Sequence, residues 1–105
     1  MQLLKDITAR ELAPGIFAKL VHGNSLTLSV VDIKKDSVLP KHHHVHEQIT
    51  FILEGELEMT IGGKTNLMKA GTVHVIPSGV PHSAIARTDC KVLDAFSPVR
   101  EDYKS

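Results

Sequence analysis

The sequence predicts an all-β fold, on the evidence of short alternating segments and of regularly spaced turn residues. Apolar residues stand at every second position over 26–30 and again over 57–61. Successive side chains of a strand point to opposite faces of a sheet, so this alternation is typical of strands with one buried face. Gly62-Gly63, between two such segments, suits a hairpin turn. Short strands at regular spacing indicate a sandwich or barrel.

Taken in order, the alternating segments and the turns between them delimit the elements. We expect strands near residues 16–21, 26–33, 48–53, 56–61, 65–69, 72–76, 82–88 and 91–97. Only residues 6–12 are compatible with a short helix, and the polar tail from residue 100 is expected to fray. A chain of 105 residues without an internal repeat or linker predicts a single domain over 1–105.

Composition and charge exclude several classes of function. Twelve basic and twelve acidic residues cancel, and there is no helix-turn-helix pattern, so we expect no nucleic-acid partner. No apolar run approaches the roughly 18 residues of a membrane span, and we expect no membrane partner. Residues 1–10 lack the apolar stretch of a secretory signal, which predicts a cytoplasmic protein. Cys90 is the only cysteine, which excludes an intrachain disulfide and a cysteine-rich zinc site.

Histidines are concentrated in one segment: four of the seven lie between positions 42 and 46. In an extended backbone His42 and His44 share a face, and Gln48 has the same parity. Two imidazoles and an amide oxygen are suitable donors for a transition metal ion. The alternatives are a solvated loop that binds metal only adventitiously, a tag-like run and a chance cluster.

A second segment supplies another histidine. Gly71 is followed after five residues by Pro77, then by Gly79 and, after two more residues, by His82. A strand here ends in a tight turn, and the next strand opens with the histidine. An antiparallel neighbour could therefore place His82 opposite the first cluster.

Together these segments resemble the two motifs of the cupin superfamily. The first family motif is glycine, five residues, His-x-His, three or four residues, glutamate, six residues, glycine. Residues 36–55 match it at both histidines and at the final glycine. The second is glycine, five residues, Pro-x-Gly, two residues, histidine, three residues, asparagine, and residues 71–86 match all but the last position. The resemblance implies a single cupin β-barrel, the double-stranded β-helix or jelly roll.

Three positions depart from the family pattern. Asp36 and Ala86 stand where glycine and asparagine are expected, outside the expected coordination sphere. Gln48 replaces the metal-binding glutamate; a neutral amide leaves more positive charge on the ion, which weakens binding but strengthens a Lewis acid. Three nitrogens and one oxygen suit one divalent ion of Ni, Zn, Fe, Mn or Co. The resemblance thus implies a metal site formed by His42, His44, Gln48 and His82.

The other histidines are expected elsewhere. His46 lies in the turn into a strand and is placed beside the metal ligands or in solvent. His74 lines the cavity mouth or faces solvent. His43 points away from its neighbours and His22 lies in a surface turn.

The C-terminal strand carries a further set of candidates. Asp94 and Phe96 share one of its faces. An aspartate among apolar neighbours has a raised pKa, which suits a general acid or base. Arg100, just after the strand, could hold a carboxylate in a bidentate fork, and Phe96 could form an apolar wall. The alternative is a surface aspartate, a core phenylalanine and a solvated arginine.

A closer resemblance concerns residues 94–102, which are similar to the ending of the uronate-ketonising, KdgF-like cupins of pectin degradation. Residues 46–48 and 53–56 match that family too. The resemblance implies the opening of 4,5-unsaturated uronates into linear keto acids. The metal would polarise a substrate oxygen and Asp94 would move the enol proton. Arg100 would bind the uronate carboxylate, with Phe96 against the carbon skeleton.

Two other functions stay open on this pattern. One is a metal-dependent oxygenase, which would take up oxygen with its substrate. The other is a non-catalytic module that binds a sugar or small acid. In each case the partner is a small molecule, and because small cupins commonly pair, we expect a homodimer.

Overall fold

The computed structural model describes residues 1–104, and within this range ten strands and two 3-10 helices follow one another. The strands are Arg10–Ala13 (β1), Ile16–His22 (β2), Thr27–Ile33 (β3), Val38–His42 (β4), Glu47–Glu54 (β5), Glu56–Ile61 (β6), Lys64–Lys69 (β7), Val73–Ile76 (β8), His82–Ala86 (β9) and Cys90–Ser97 (β10). The 3-10 helices are Leu4–Asp6 and Glu101–Tyr103. No helix in the described part of the chain has the length and apolar character to cross a membrane.

The strands form two antiparallel sheets, which confirms the predicted all-β fold. One sheet has six strands in the order β1-β2-β3-β10-β5-β8. The other has four in the order β4-β9-β6-β7. Neighbours in space are often distant in sequence, as in a jelly roll: β10 lies between β3 and β5. This placement puts the C-terminal strand in the middle of the larger sheet.

Aliphatic side chains from both sheets form the core. The larger sheet contributes the buried side chains of Ile16, Ala18, Val31, Ile33, Ile52, Ile76 and Val92. The smaller sheet contributes Leu57, Met59, Met68, Ala84 and Ala86. Since the chain has only three phenylalanines, one tyrosine and no tryptophan, the core depends on branched aliphatic packing.

Strand register arranges the inner face of the larger sheet in rows that change in polarity. One row is wholly apolar and consists of Ala18, Val31, Val92 and Ile52. The next row, which is displaced from the first by two residues in every strand, consists of Leu20, Ser29, Asp94 and Thr50. The third row consists of His22, Thr27, Phe96 and Gln48. The interior is therefore apolar at one end and polar at the other, within about 14 Å along the strands.

Two strands were absent from the sequence prediction, and the helix predicted over 6–12 is wrong. Residues 4–6 form a 3-10 turn and β1 follows it, paired on one side only and interrupted by a bulge. In β4 the pairing with β9 shifts between Leu39 and His42, around Pro40. Proline lacks a backbone donor, and it is tolerated here because β4 is an edge strand. A proline-containing edge strand has no clean alternation to detect.

The structure explains why the departures at Asp36 and Ala86 leave the fold intact. Asp36 has a φ of 71°, so the residue in place of the family glycine adopts the left-handed conformation, which aspartate tolerates better than most residues. Its backbone N–H donates to the Ala86 carbonyl at 2.8 Å, and the Ala86 N–H donates to Ser37 at 3.1 Å. The two motifs are thus joined here through backbone atoms, which any side chain allows.

Gly55, by contrast, is required by its surroundings. Its φ is 88°, and a Cβ at this position would lie 2.2 Å from the Asp89 carbonyl oxygen. The final glycine of the first motif therefore allows β5 to turn closely past the start of β10.

Candidate functional site

Three histidines converge at the polar end of the interior. His42 ends β4, His44 lies in the following loop, and His82 opens β9 opposite His42 in the strand register. One ring nitrogen from each lies within 4.8 Å of the others. These three histidines could therefore bind a metal ion. Antiparallel pairing of the two motif segments brings them together, as the sequence predicts.

The three rings share one hydrogen-bonding arrangement. In each of them Nδ1 lies 2.8–3.0 Å from a backbone carbonyl oxygen two residues away. A carbonyl only accepts, so each Nδ1 carries the proton and donates it. Each Nε2 is left with a lone pair, and that of His82 is buried without a hydrogen-bond partner in the described structure. Histidine ligands of metals are commonly oriented by such a bond from the other ring nitrogen.

The side-chain amide oxygen of Gln48 lies beside this group of histidines. Its side chain is buried, and its amide nitrogen donates to Thr50 Oγ1 at 2.9 Å and to Asp94 Oδ1 at 3.2 Å. These bonds direct the amide oxygen to within 3.2 Å of His44 Nε2. Burial, then the positive charge of Arg100 and the proximity of His82, lower the pKa of His44 to about 4.

His44 is therefore neutral near pH 7, and its proton resides on Nδ1. Its Nε2 lone pair then faces the lone pairs of the Gln48 amide oxygen. Two acceptors at hydrogen-bond distance repel each other unless a cation lies between them or beside them. The donor set present thus fits a bound cation.

Asp94 lies inside the cavity, one hydrogen bond away from Gln48. Thr50 Oγ1 donates to Asp94 Oδ1 at 2.8 Å, so Gln48, Thr50 and Asp94 form a connected chain. Burial raises the pKa of Asp94 to about 6, although the hydrogen bonds from Thr50 and Gln48 and the charge of Arg100 oppose the increase. The carboxyl group can therefore gain or lose a proton near neutral pH.

Arg100 is only 5% exposed, which contradicts a solvated arginine. The expected fraying is not seen at residues 101–103, which form a 3-10 helix, and Ser105 lies outside the described residues. Its backbone N–H donates to Thr27 Oγ1 at 2.9 Å. The guanidinium lies over the rings of Phe96 and Tyr103, at 4.7 and 4.0 Å from their centroids. The burial of this charge is compensated by ring faces and by one carboxylate.

That carboxylate belongs to Asp102 of this chain. Arg100 Nε donates to Oδ1 at 3.0 Å and Nη2 donates to Oδ2 at 2.8 Å, which is the bidentate fork that we expected for a substrate. The hydrogen bonds from Arg100 lower the pKa of Asp102. Neither Asp102 nor Tyr103 was predicted from the sequence as part of the site. The available signal was an acidic residue two positions after the candidate arginine.

One cavity connects these groups. It is lined by His42, Gln48, His82, Asp94, Arg100 and Tyr103, together with core side chains. Its volume is about 60 Å³. Sites for small organic ligands typically measure roughly 300–1,000 Å³. A ligand of sugar size would therefore require the lining to move, and Tyr103 and Asp102 lie in the segment nearest the chain end.

The remaining histidines lie outside the group of three. His46 is half-buried; its Nε2 lies 3.3 Å from the Val99 carbonyl oxygen and its ring centroid 5.3 Å from that of His44. His43 and His74 are exposed. His22 is half-buried, with Nδ1 2.8 Å from Thr27 Oγ1, and so is tied to the sheet rather than free in a turn.

Comparison with known proteins agrees with this architecture. Residues 29–96 match the family model for the cupin domain. The chain is 29% identical over 96 residues to the pectin degradation protein KdgF of Dickeya dadantii, an alignment that covers 89% of this chain and 87% of that protein.

Solved structures give the same result. The structure of KdgF from Halomonas sp. superimposes with a TM-score of 0.88 at 29% identity, covering 95% of this chain and 94% of that one. An RmlC-like cupin from Shewanella frigidimarina superimposes with a TM-score of 0.92 at 24% identity, covering 98% and 94%, and shows the fold alone. The chain therefore belongs to the cupin family, and within it the chain is similar to KdgF.

Proposed function

We propose that this protein is a metal-dependent enzyme that opens and ketonises an unsaturated uronate or a related sugar acid. The observation that carries the proposal is the meeting of two features at the Gln48 side chain. The His44 and Gln48 lone pairs face each other at 3.2 Å, and the buried carboxyl group of Asp94 is bonded to the same Gln48 amide. The first feature fits a cation and the second fits a proton-transfer group.

His42, His44, Gln48 and His82 would hold one divalent transition metal ion. When bound, such an ion supplies a Lewis acid that draws electron density from a substrate oxygen. The neutral amide of Gln48 adds no negative charge to the site. The donor set would therefore favour polarisation of a substrate oxygen, which is what an isomerisation of this kind needs.

Asp94 would move the proton. Ketonisation of an enol removes a proton from oxygen and adds one to carbon, so it needs a group that both accepts and donates, and it needs no oxidant. Asp94 meets this need because burial brings its pKa to about 6. Thr50 and Gln48 each donate to Oδ1, which holds the carboxyl group in one orientation.

Arg100 and Phe96 would bind the substrate. A uronate carboxylate would take the place of Asp102 on the Arg100 fork, since the two carboxylates are chemically alike. The side chain of Asp102 is 55% exposed and can therefore turn into solvent. Movement of residues 101–103 would also enlarge the cavity beside Phe96, which would pack against the carbon skeleton. The relation to a pectin degradation protein supports a uronate as the substrate class.

The first test is metal content by elemental analysis, together with conversion of a 4,5-unsaturated uronate followed by NMR. We expect about one equivalent of metal in the wild type, and loss of metal and of conversion in His42→Ala/His82→Ala. The matched control is His43→Ala, which removes an exposed histidine from the same segment.

Each contrary outcome has a definite meaning. Equal and low metal content in the wild type and in the double variant would overturn the metal site. Full metal content with uronate binding but no product would leave a non-catalytic binding protein. Oxygen uptake on addition of substrate would indicate an oxygenase instead.

A further inference from the structure

Among the described residues, the inner face of the six-stranded sheet carries three buried hydroxyl side chains: Thr27, Ser29 and Thr50. Each of them is at most 1% exposed. Buried hydroxyl groups are nearly always hydrogen-bonded, because their removal from water costs free energy that only a new partner restores. The partners of these three side chains therefore indicate what each hydroxyl does in the interior.

The two threonine hydroxyls connect parts of the protein to each other. Thr27 Oγ1 accepts from the backbone N–H of Arg100 at 2.9 Å and lies 2.8 Å from His22 Nδ1. Thr50 Oγ1 donates to Asp94 Oδ1 at 2.8 Å. Both hydroxyls are thus used by the fold and by the site as it stands.

The hydroxyl of Ser29 differs from them. Its side chain is 1% exposed and lines the cavity of the candidate site. Within residues 1–104 it forms no hydrogen bond. An alanine would fill the same place in the core without leaving a polar atom unpaired. The hydroxyl is therefore available to a molecule that enters the cavity.

Ser29 lies directly beside Asp94. The two residues are opposite each other in the register of β3 and β10, which places their Cβ atoms about 4.5–5.5 Å apart on the same face. Thr50 lies on the other side of Asp94, and both Thr50 and Gln48 donate to Oδ1. No described residue donates to Asp94 Oδ2. An unused donor and an unused acceptor thus lie next to each other at the cavity.

We propose that Ser29 Oγ and Asp94 Oδ2 together bind one hydroxyl group of the ligand. This hydroxyl would accept from Ser29 and donate to the carboxylate of Asp94. A group of the size of a water molecule needs roughly 10–15 Å³, so the hydroxyl itself fits the cavity of about 60 Å³. The inference rests on the proposed function, because it names the feature of a sugar acid, besides its carboxylate, that the site recognises.

The facing wall of the cavity gives this recognition a direction. Beyond the histidines, the smaller sheet lines the cavity with Leu39, Met59 and Ala84, which are neighbours in the strand register. These side chains cannot form hydrogen bonds, and a ligand hydroxyl turned towards them would stay unpaired. The site would therefore select a hydroxyl on the side of the ligand that faces Ser29.

The test is titration calorimetry of galacturonate with the wild type, Ser29→Ala and Ser83→Ala. Ser83 is half-buried on the outer face of β9, so its variant makes the same chemical change away from the cavity. We expect the Kd to increase about three- to tenfold in Ser29→Ala, the usual effect of one lost hydrogen bond, and to stay unchanged in Ser83→Ala. The Tm of Ser29→Ala should match that of the wild type, because the hydroxyl has no partner in the described protein.

Monodeoxy analogues of galacturonate, each of which lacks one ring hydroxyl, separate binding from a merely structural role. For one analogue the wild type and Ser29→Ala should have the same Kd, because the hydroxyl that Ser29 binds is missing. A loss of equal size for every analogue would contradict the proposal, since Ser29 would then act through the shape of the site.

Two further outcomes would also overturn the proposal. Unchanged galacturonate affinity in Ser29→Ala would mean that this hydroxyl contacts only solvent. A wild type that does not bind galacturonate would mean that no sugar acid takes this place. Neither outcome decides the proposed function, which is judged by metal content and by conversion of the unsaturated uronate.

Discussion

Both faces of β10 depart from the usual arrangement of a sheet, in which apolar side chains face the interior and polar ones face solvent. Inward, the strand runs from Val92 through Asp94 to Phe96, so polarity enters the interior in the middle of the strand. Outward, Leu93 and Ala95 belong to an apolar surface. Burying a carboxyl group and exposing aliphatic side chains both cost free energy in an isolated domain. The inner face of β10 therefore gives up apolar packing where it borders the candidate site, and its outer face leaves aliphatic side chains partly exposed.

Among the variants that test this difference between the faces, we expect Asp94→Asn to have the largest effect. The change removes the proton-transfer group but keeps an oxygen that can accept from Thr50. We expect the rate of uronate conversion to fall by about 10²–10⁴, as for other general acid–base groups. Metal content should stay near that of the wild type. A rate within twofold of wild type would remove Asp94 from the mechanism.

Ile52 and Ile49 lie on opposite faces of β5, so substitutions at these two positions test the difference between the faces. Ile52 is fully buried in the core, whereas Ile49 is 42% exposed on the outer face of the six-stranded sheet. We expect Ile52→Ala to lower the free energy of unfolding by about 2–5 kcal/mol, because it leaves a cavity. Ile49→Ala should cost less than about 1 kcal/mol when measured by urea unfolding. Equal losses would mean that the outer face is packed more tightly than its exposure indicates.

The buried carboxyl group also predicts a pH dependence of stability in the metal-free protein. Because burial raises the folded-state pKa of Asp94 from 3.8 to about 6, the folded protein favours the protonated form. The resulting stabilisation is complete below the unfolded-state pKa and is lost as the pH rises through about 6. At pH 7 the ionised group therefore destabilises the fold by up to about 3 kcal/mol.

Asp94→Asn should accordingly stabilise the metal-free protein at neutral pH. Its advantage over the wild type should shrink by roughly 1 kcal/mol between pH 7 and pH 5. Urea unfolding at the two pH values would measure the difference. An advantage that does not change with pH would mean that Asp94 has an ordinary pKa in the folded state.

The last expected effect concerns the fork between Arg100 and Asp102. If a substrate carboxylate displaces Asp102, then Asp102→Asn should tighten the binding of galacturonate by about tenfold, since the competing charge is removed. Arg100→Lys should weaken the same binding, because lysine cannot form the fork.

Galactose, which lacks the carboxylate, is the matched ligand, and neither variant should alter its binding. Titration calorimetry would measure both sugars. Weaker binding of galacturonate by Asp102→Asn would show that Asp102 holds Arg100 in position instead of competing with the ligand.

The strands and the histidine group were predictable because their signals are local. Alternation over five or six residues identifies most strands, and the spacing within residues 36–55 and 71–86 identifies the three converging histidines. The edge strand β4 escaped detection, since Pro40 and a register shift remove its alternation. Asp102 was not predicted either, because nothing in the sequence of the polar tail indicates that the arginine two residues earlier is buried.

By itself, the sequence determined an all-β chain with two histidine motifs and a candidate carboxyl group on the last strand, because backbone period and motif spacing are properties of neighbouring residues. Only the tertiary structure decided that Asp102 occupies the Arg100 fork and that the cavity measures about 60 Å³. It also decided that apolar side chains from five separate strands lie side by side on the outer face of the six-stranded sheet. These features depend on register between strands far apart in sequence, which is set by the packing of the whole barrel rather than by any local segment.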